Sequence, residues 1–583
     1  IKIIVEILQK MVNISISDRV IGGDMASLLL RYAAGLGFSL ALLVAGCASK
    51  PAAADGNPEW YSGERVQIHT RARIDRKALP PESDIFWQLP AEVKRIGANV
   101  SVRHIKGSCE GTWWPSSIGE MAPVAKTYDG DLAARLIEDA HALGLKQIVY
   151  YRHFCDRWVM VNHPEWLALS REGKPVTKPG HDRPYPYVSL LSPFEDYAIT
   201  HLTELAERGA DGFYFDEIHT ARDGDFSEYA QRAYRERYGK DLLDATDAEV
   251  LTFRQEIIAG FLTSAVDAIH SVNPDAVTLV SVNSLSLDAL QIGDAPKYED
   301  SFNNWLGGME SAATILSDLS GGNPHIWRGP TEFDSLYTVG RYLTFGAIYN
   351  RDIKENEFFK VPHELHPHVA DLFELSRKVS PAMKDVYPYR FVRVAVNGEL
   401  QVRKAPLDGQ LVNRWRSLVA ERIPAGYLSF KQMLDEGIPV DTRVVVIPEG
   451  NGWEAPMTVS EELQGVLDEF EAGGGYVVGA EAAGEGGWIR AVKDRGVPLT
   501  ASGGSSDLGV VVYRNDDGSK YVVNISEYES SDIVLELSSE WFDMPSSVVE
   551  SVSGQKIEVI TTEAGWELRL PRVDTMAQVV ILF

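Results

Sequence analysis

Between Arg65 and about Lys384 the chain alternates, eight times over, a short apolar run of strand character with a longer run of helical period. That alternation constrains the fold more than any other feature, because it builds a parallel sheet with its helices outside. The strand-like runs are Val66–Thr70, Asn99–His104, Gln147–His153 and Gly212–Asp216, followed by Val277–Asn283, Lys297–Asp300, His325–Arg328 and Tyr342–Tyr349. Amphipathic stretches such as Leu132–Leu143, closed by Gly144, and Tyr197–Arg208, closed by Gly209, lie between them. Eight strand-then-helix units are the count for a (β/α)8 TIM barrel. The sixth strand, short and polar, is the one on which the count depends.

After Pro388 the texture changes. The run Thr442–Gly450 (TRVVVIPEG) reads as a buried strand, Ser460–Ala472 as a helix, and Gly473-Gly-Gly leads into a further strand, which together make a small open α/β (flavodoxin-like) domain. The triple glycine follows a helix and precedes a strand. A phosphate cradle needs the reverse order, so the glycines read as a helix-to-strand turn. From about Ser502 short alternating runs, among them Gly509–Tyr513, Lys520–Asn524, Ile533–Leu537, Trp566–Leu570 and Ala577–Phe583, predict a C-terminal antiparallel β-sandwich. The expected organisation is a barrel over residues 61–385, an α/β domain over 386–501 and a sandwich over 502–583.

The first 24 residues match no targeting pattern and read as translated upstream sequence, with the start at Met25. Met25–Cys47 carries one positive residue, Arg31, then an apolar run, then small residues before a cysteine. That is the layout of a secretory signal peptide over 25–46, and Leu43-Val44-Ala45-Gly46-Cys47 resembles a bacterial lipobox, which implies lipidation of Cys47. A transmembrane anchor is the alternative, since the apolar run approaches the ~18-residue lower bound for a span. The expectation is a lipoprotein of the bacterial cell envelope, in the outer membrane or periplasm, tethered through residues 47–60. Cys109 and Cys155 could pair in such a compartment. The formal charge of −27 excludes nucleic acid as a partner, because phosphate binding needs a basic face. A neutral sugar is unaffected by that sign.

In (β/α)8 barrels the carboxyl ends of the strands carry the chemistry. Here they supply His69, Arg103 with His104, Arg152 with His153, Asp216 with Glu217 and His219, Asn283, Glu299 with Asp300, Arg328 with Glu332, and Asn350. The fourth run, GADGFYFDEIHT, ends in two adjacent carboxylates where an ordinary strand would end in a turn residue. Two carboxylates on different strands are what glycoside hydrolysis requires, one to attack or activate water and one to protonate the leaving oxygen. Trp113, Trp114, Trp158, Trp166 and Trp305 in the rim loops could stack on sugar faces, or pack the loops onto the barrel. No cofactor is expected; a metal site drawn from His104, Cys109, His153 and Cys155 is the alternative, without compact ligand spacing to support it.

Four stretches, VQIHTRA at Val66, AEVKRIGANVSV at Ala91, LKQIVYYRHF at Leu145 and DGFYFDE at Asp211, resemble the α-L-fucosidase and α-galactosidase group and related hypothetical barrel glycosidases. VVVIPEG and LDEFEAGGGYVV are similar to the trimerisation-type domain that follows the barrel of some β-galactosidases. The chain lacks a His-Trp-Gly after its first strand and an Asn-Glu on its fourth, so the resemblance implies the reaction and leaves the sugar open. It implies a glycoside hydrolase that retains configuration, with Asp216 as nucleophile and Asp300, or its neighbour Glu299, as general acid. If Glu217 faces inward instead, Glu217 becomes the acid/base and Glu332 the nucleophile. His69, His104, Arg152, His153, Asn283 and Arg328 would bind substrate hydroxyls, a carboxylate or a sulfate, and His219 would orient Glu217. The arginines at two successive strand ends point weakly to an anionic sugar. The middle domain points to self-association. The competing reading is a non-catalytic carbohydrate-binding lipoprotein with a degenerate barrel.

Overall fold

The computed structural model describes the chain from Pro58 to Phe583 apart from residues 59, 62–65, 70–83, 96, 108–110, 153–155, 179–184, 217, 219–223, 282–288, 290–291, 294, 300–308, 321–324, 330–335, 346, 353–368, 398–408, 449–457, 480–486 and 528. The expected leader and Cys47 lie outside the described residues, as do Cys109 and Cys155.

Eight strands close a parallel barrel in sequence order: β1 (Val66–His69), β2 (Val100–His104), β3 (Lys146–Arg152), β4 (Gly212–Asp216), β5 (Val277–Ser281), β6 (Ala295–Glu299), β7 (His325–Gly329) and β8 (Ala347–Asp352). Closure is made by β1, which pairs with β8 from Val66↔Tyr349 to His69↔Asp352 and with β2 at Ile68↔Ser101. The short polar β6 is a full member, with Lys297 opposite both Ser281 and Ile326. Ladders on both sides hold a sequence that strand propensity alone would not favour.

The helices outside form where apolar spacing and capping agree. Leu132–Ala142 starts on Asp131, whose side chain accepts the Ala134 N–H, and buries Leu132, Ala133, Leu136, Ile137 and Ala140 on one stripe. Gly144, at φ +69°, ends that turn in the left-handed region that glycine tolerates best. One segment departs from the sequence reading. Tyr342–Thr344, expected as the start of the eighth strand, completes the helix Leu336–Thr344, Phe345 lies in the turn after it, and the strand begins only at Ala347. The reason is tertiary: Val339, Tyr342 and Leu343 are buried in the core shared with the sandwich, and the helix end receives Tyr513 Oη on Thr344 O at 3.1 Å.

Beyond the barrel, four parallel strands lie in the order Ala425–Ser429, Val392–Val396, Val444–Val446, Tyr476–Val478. In chain order this is 2-1-3-4: the first strand is inner, the second pairs with it at one edge, and the third and fourth are added on its other side, which is the doubly wound pattern. Its helix Glu461–Ala472 is capped by Ser460, and Gly473 and Gly474 turn it into the strand at Tyr476, so the triple glycine is the turn expected of it. The sandwich has six strands in one antiparallel sheet and four in the other. It recruits Tyr387–Pro388 and the strand Leu499–Ser502, of which all but Ser502 fell in the preceding domain in the sequence reading. A single apolar cluster runs from Leu89 and Phe373 of the barrel helices through Val394 and Trp415 to Val523 and Ile581 of the sandwich. Buried Arg390 and Asp318, 3.0 Å apart, add an ion pair between the α/β sheet and the barrel helix Met309–Leu319, and Asp318 also accepts the Tyr427 N–H at 2.8 Å.

Candidate active site

Alternation along β4 decides what reaches the barrel interior. Gly212, Tyr214 and Asp216 share one face, while Phe213 and Phe215 pack outward into the helix layer. The lowest of the three must be glycine, because a Cβ there would stand 2.5 Å from Val277 O and 3.2 Å from the Ile148 side chain. Above it, Tyr214 joins Tyr61, Val100, Val102, Ile148, Tyr150, Val277 and Leu279 in a cluster that fills the barrel. Each such side chain contributes roughly 1.5–3 kcal/mol by leaving water. This packed floor leaves the polar chemistry to the layer above it.

Asp216 caps that column at the carboxyl end of β4 and is only 2 % exposed. Both of its oxygens accept hydrogen bonds from phenols. Tyr150 on the neighbouring strand donates to Oδ2, and Tyr214, two residues earlier on β4, donates to Oδ1 at 3.1 Å. The Tyr150 ring meets Tyr214 edge-on at 5.0 Å and lies against the His104 ring at 3.8 Å. Strand register produces this row, since His104 is opposite Tyr150 and Tyr150 opposite Tyr214. Arg152 is the register partner of Asp216 one step higher. The result is a buried carboxylate with a fixed plane, facing the mouth of a closed barrel.

The loops around this mouth are braced from outside the barrel. Lys106, just after β2, and Asp156, just after β3, form a fully buried ion pair at 2.7 Å. Asp156 also accepts Tyr197 Oη at 2.8 Å and caps the helix Arg157–Asn162 through the Trp158 and Val159 N–H groups. Burial alone would raise its carboxyl, but Lys106 and these donors hold it below the usual carboxylate range. The same phenol of Tyr197 is pushed well up by burial and by Asp156. His201, packed between Trp114 and Tyr197, is pushed down to about 4 by burial and next by the Lys106 charge. It is therefore a neutral structural histidine at ordinary pH. Asp225, in the loop after β4, is raised by burial and ties that loop to the preceding one through the Leu169 and Ser227 N–H groups.

The residues singled out from sequence divide accordingly. Asp216 and His104 are brought together above the filled barrel, with Tyr150 between them. His69, Glu299 and Arg328 stand in β1, β6 and β7, with Glu299 opposite Arg328 and Arg328 opposite Asn350. Glu217, His219, Asp300, Glu332, His153, Asn283 and Trp305 lie outside the described residues. Trp113 and Trp114 are corrected: both are buried in the core outside the barrel, and Trp114 Nε1 donates to Glu204 at 2.6 Å, so neither presents a face to a sugar. Trp158 stacks on Tyr197 at 5.3 Å, and Trp166 on His163 at 3.9 Å. Arg103 occupies the face of β2 opposite to His104 and is buried. Of the two strand-end arginines, Arg103 is thus turned away from the site. Tyr150 and Tyr214 were not singled out, although period-two alternation back from Asp216 reaches Tyr214 at once.

Residues 87–217 match the family model described as hypothetical glycosyl hydrolase 6, a span that runs from before β2 to the end of β4 and includes Asp216. Over that segment the barrel is similar to a glycosyl hydrolase family. Its architecture is shared with solved glycosidases over nearly the whole chain. α-L-Fucosidase isoenzyme 2 from Paenibacillus thiaminolyticus superposes with a TM-score of 0.70 at 11% identity, covering 89% of this chain and 100% of the other. A β-galactosidase from Bacillus circulans sp. alkalophilus gives 0.62 at 11% identity, covering 89% and 99%. A β-galactosidase from Rahnella sp. R3 gives 0.60 at 11% identity, covering 89% and 98%. At such identities the likeness is one of fold. No curated protein sequence matches the chain.

Proposed function

We propose that this protein is an exported, lipid-anchored, retaining glycoside hydrolase in which Asp216 is the attacking carboxylate. The observation that carries the reading is the placement of Asp216, buried at the end of a barrel strand with both oxygens held by phenols. A nucleophile must meet the anomeric carbon in one orientation, and a carboxylate fixed at two points loses little freedom on doing so. Attack forms a glycosyl ester on Asp216 while a second carboxyl group protonates the leaving oxygen. Asp300, one residue beyond β6, is assigned that role, with Glu299 as the neighbouring choice. Water then releases the sugar with its configuration retained. Arg152, at the end of β3 beside the nucleophile strand, and His104, at the end of β2 one strand further, are assigned to substrate binding. The lipobox at Cys47 supports attachment to the cell envelope, and the doubly wound domain supports self-association.

The test is release of reducing sugar from a panel of aryl α- and β-glycosides and oligosaccharides by residues 48–583, beside Asp216→Asn, Glu217→Gln and Asp300→Asn. Loss of turnover in Asp216→Asn and Asp300→Asn, with a mild effect in Glu217→Gln, is expected. A dead Glu217→Gln transfers the roles to Glu217 and Glu332. A wild type without turnover on any member of the panel returns the protein to the binding-lipoprotein reading.

A further inference from the structure

We infer that Tyr150, seconded by Tyr214, is a positioning residue that governs the second half of the reaction, the departure of the sugar from Asp216. The inference rests on the reading of Asp216 as nucleophile and adds a role that neither the family match nor the fold likeness assigns.

The Tyr150 hydroxyl is firmly held. Its ring is gripped on one side by the His104 ring at 3.8 Å and on the other by the Tyr214 edge at 5.0 Å, and all three residues occupy one register level of adjacent strands. Tyr150 is fully buried. The hydroxyl therefore cannot swing away from Asp216 Oδ2 without unpacking the top layer of the barrel. Tyr214 holds the other oxygen from the same strand, so the carboxylate plane is fixed by two donors on two strands.

Those donors act differently on the two chemical steps. In the first, the carboxylate gives up negative charge as its oxygen bonds to the anomeric carbon, and donors to that charge do not help. In the second, the bond between the anomeric carbon and the Asp216 oxygen breaks and its electron pair returns to the carboxylate. Water supplies the new hydroxyl, and its proton goes to the acid/base carboxylate. The charge on Asp216 reappears in this step, facing two donors already in place, which is the situation in which preorganised hydrogen bonds accelerate a reaction. Tyr150 then serves the leaving group of deglycosylation, while its steric role as the wall beneath Asp216 serves both steps.

Tyr150→Phe removes the hydroxyl and keeps the ring contacts with His104 and Tyr214. On an aryl glycoside with a good leaving group, where the first step is fast, kcat is expected to fall about 100-fold. KM should fall with it, because the glycosyl-enzyme accumulates, leaving kcat/KM much less affected, and a burst of phenol equal to the enzyme concentration should precede the slow phase. Tyr214→Phe should show the same split with a smaller fall, and it carries the test if Tyr150→Phe does not fold, as judged by its unfolding midpoint. A merely structural role would lower the active fraction or raise KM without a burst. Wild-type kcat in a folded Tyr150→Phe, or a loss expressed in kcat/KM alone, overturns the inference. Asp216→Asn is measured beside them. If it stays active, the nucleophile reading itself has failed; if it is inactive while both phenylalanine variants behave as wild type, only the positioning role has failed.

Discussion

Replacing Asp156 by Asn should destabilise the protein far more than its conservative size suggests. The carboxylate lies 2.7 Å from Lys106 Nζ with both side chains out of water. At an effective dielectric of about 20, two charges at that separation attract by roughly 6 kcal/mol. Desolvation of both groups consumes much of this, so the pair as a whole contributes little, but removing one partner strands the other. Asn can still cap the helix Arg157–Asn162 through its one oxygen, while its amide nitrogen, standing where Oδ2 stood, accepts neither from Lys106 nor from Tyr197, so the change removes the charge together with one hydrogen bond. It leaves the Lys106 ammonium buried, near the Tyr151 ring, with no anion, for an expected loss of about 3–5 kcal/mol. Lys106→Met should cost a similar amount, and the double variant Lys106→Met/Asp156→Asn less than the sum, since neither charge is then stranded. Urea unfolding followed by tryptophan fluorescence reads this directly, because Trp158 stacks on Tyr197 beside the pair. The reasoning is refuted if either single variant unfolds within about 1 kcal/mol of wild type, or if the double variant loses the full sum. As the pair spans the loops after β2 and β3, KM should rise in the single variants.

Three further outcomes follow from His201, Asp211 and Gly426. His201 is held near 4 in the fold against 6.5 when free, so its contribution is present above about 6.5 and is lost as pH falls towards 4, by up to about 3 kcal/mol; His201→Gln should flatten that stretch of a stability–pH curve. Asp211 gathers His141 Nε2 at 2.6 Å, Lys146 Nζ at 2.7 Å and the Gln147 N–H at 2.9 Å at the amino end of the barrel, so Asp211→Asn should lower the unfolding midpoint while leaving kcat/KM unchanged. Gly426→Ala should loosen the α/β domain from the barrel, since the added Cβ would meet Asp318 Oδ2 at 2.1 Å and the Arg390 side chain at 2.5 Å; increased protease cutting between the two checks it.

The barrel was legible because alternation of two periods survives any local detail, and even the polar β6 declared itself by position. Tyr342–Phe345 was misread since an apolar run of four fits a helix or a strand equally, and the sandwich surface that decides between them lies more than 150 residues away in sequence. Asp216 was visible as a carboxylate that ends an apolar strand. Its phenolic partners were visible only in principle: Tyr214 by alternation, Tyr150 only once register was known. Trp113 and Trp114 misled because tryptophan in a loop reads the same whether it covers a sugar or a core. The brace of Lys106 and Asp156, 50 residues apart, leaves no local signature at all.

The central claim is that Asp216 forms a covalent bond to the sugar. An activated fluorinated glycoside of whichever sugar the panel identifies should trap that ester, and peptide mass spectrometry of the digested enzyme would locate it. The label on the peptide carrying Asp216, absent from Asp216→Asn, is the predicted result. A label on the peptide carrying Glu332 instead, or an active enzyme that inverts configuration and takes no label, would contradict the account.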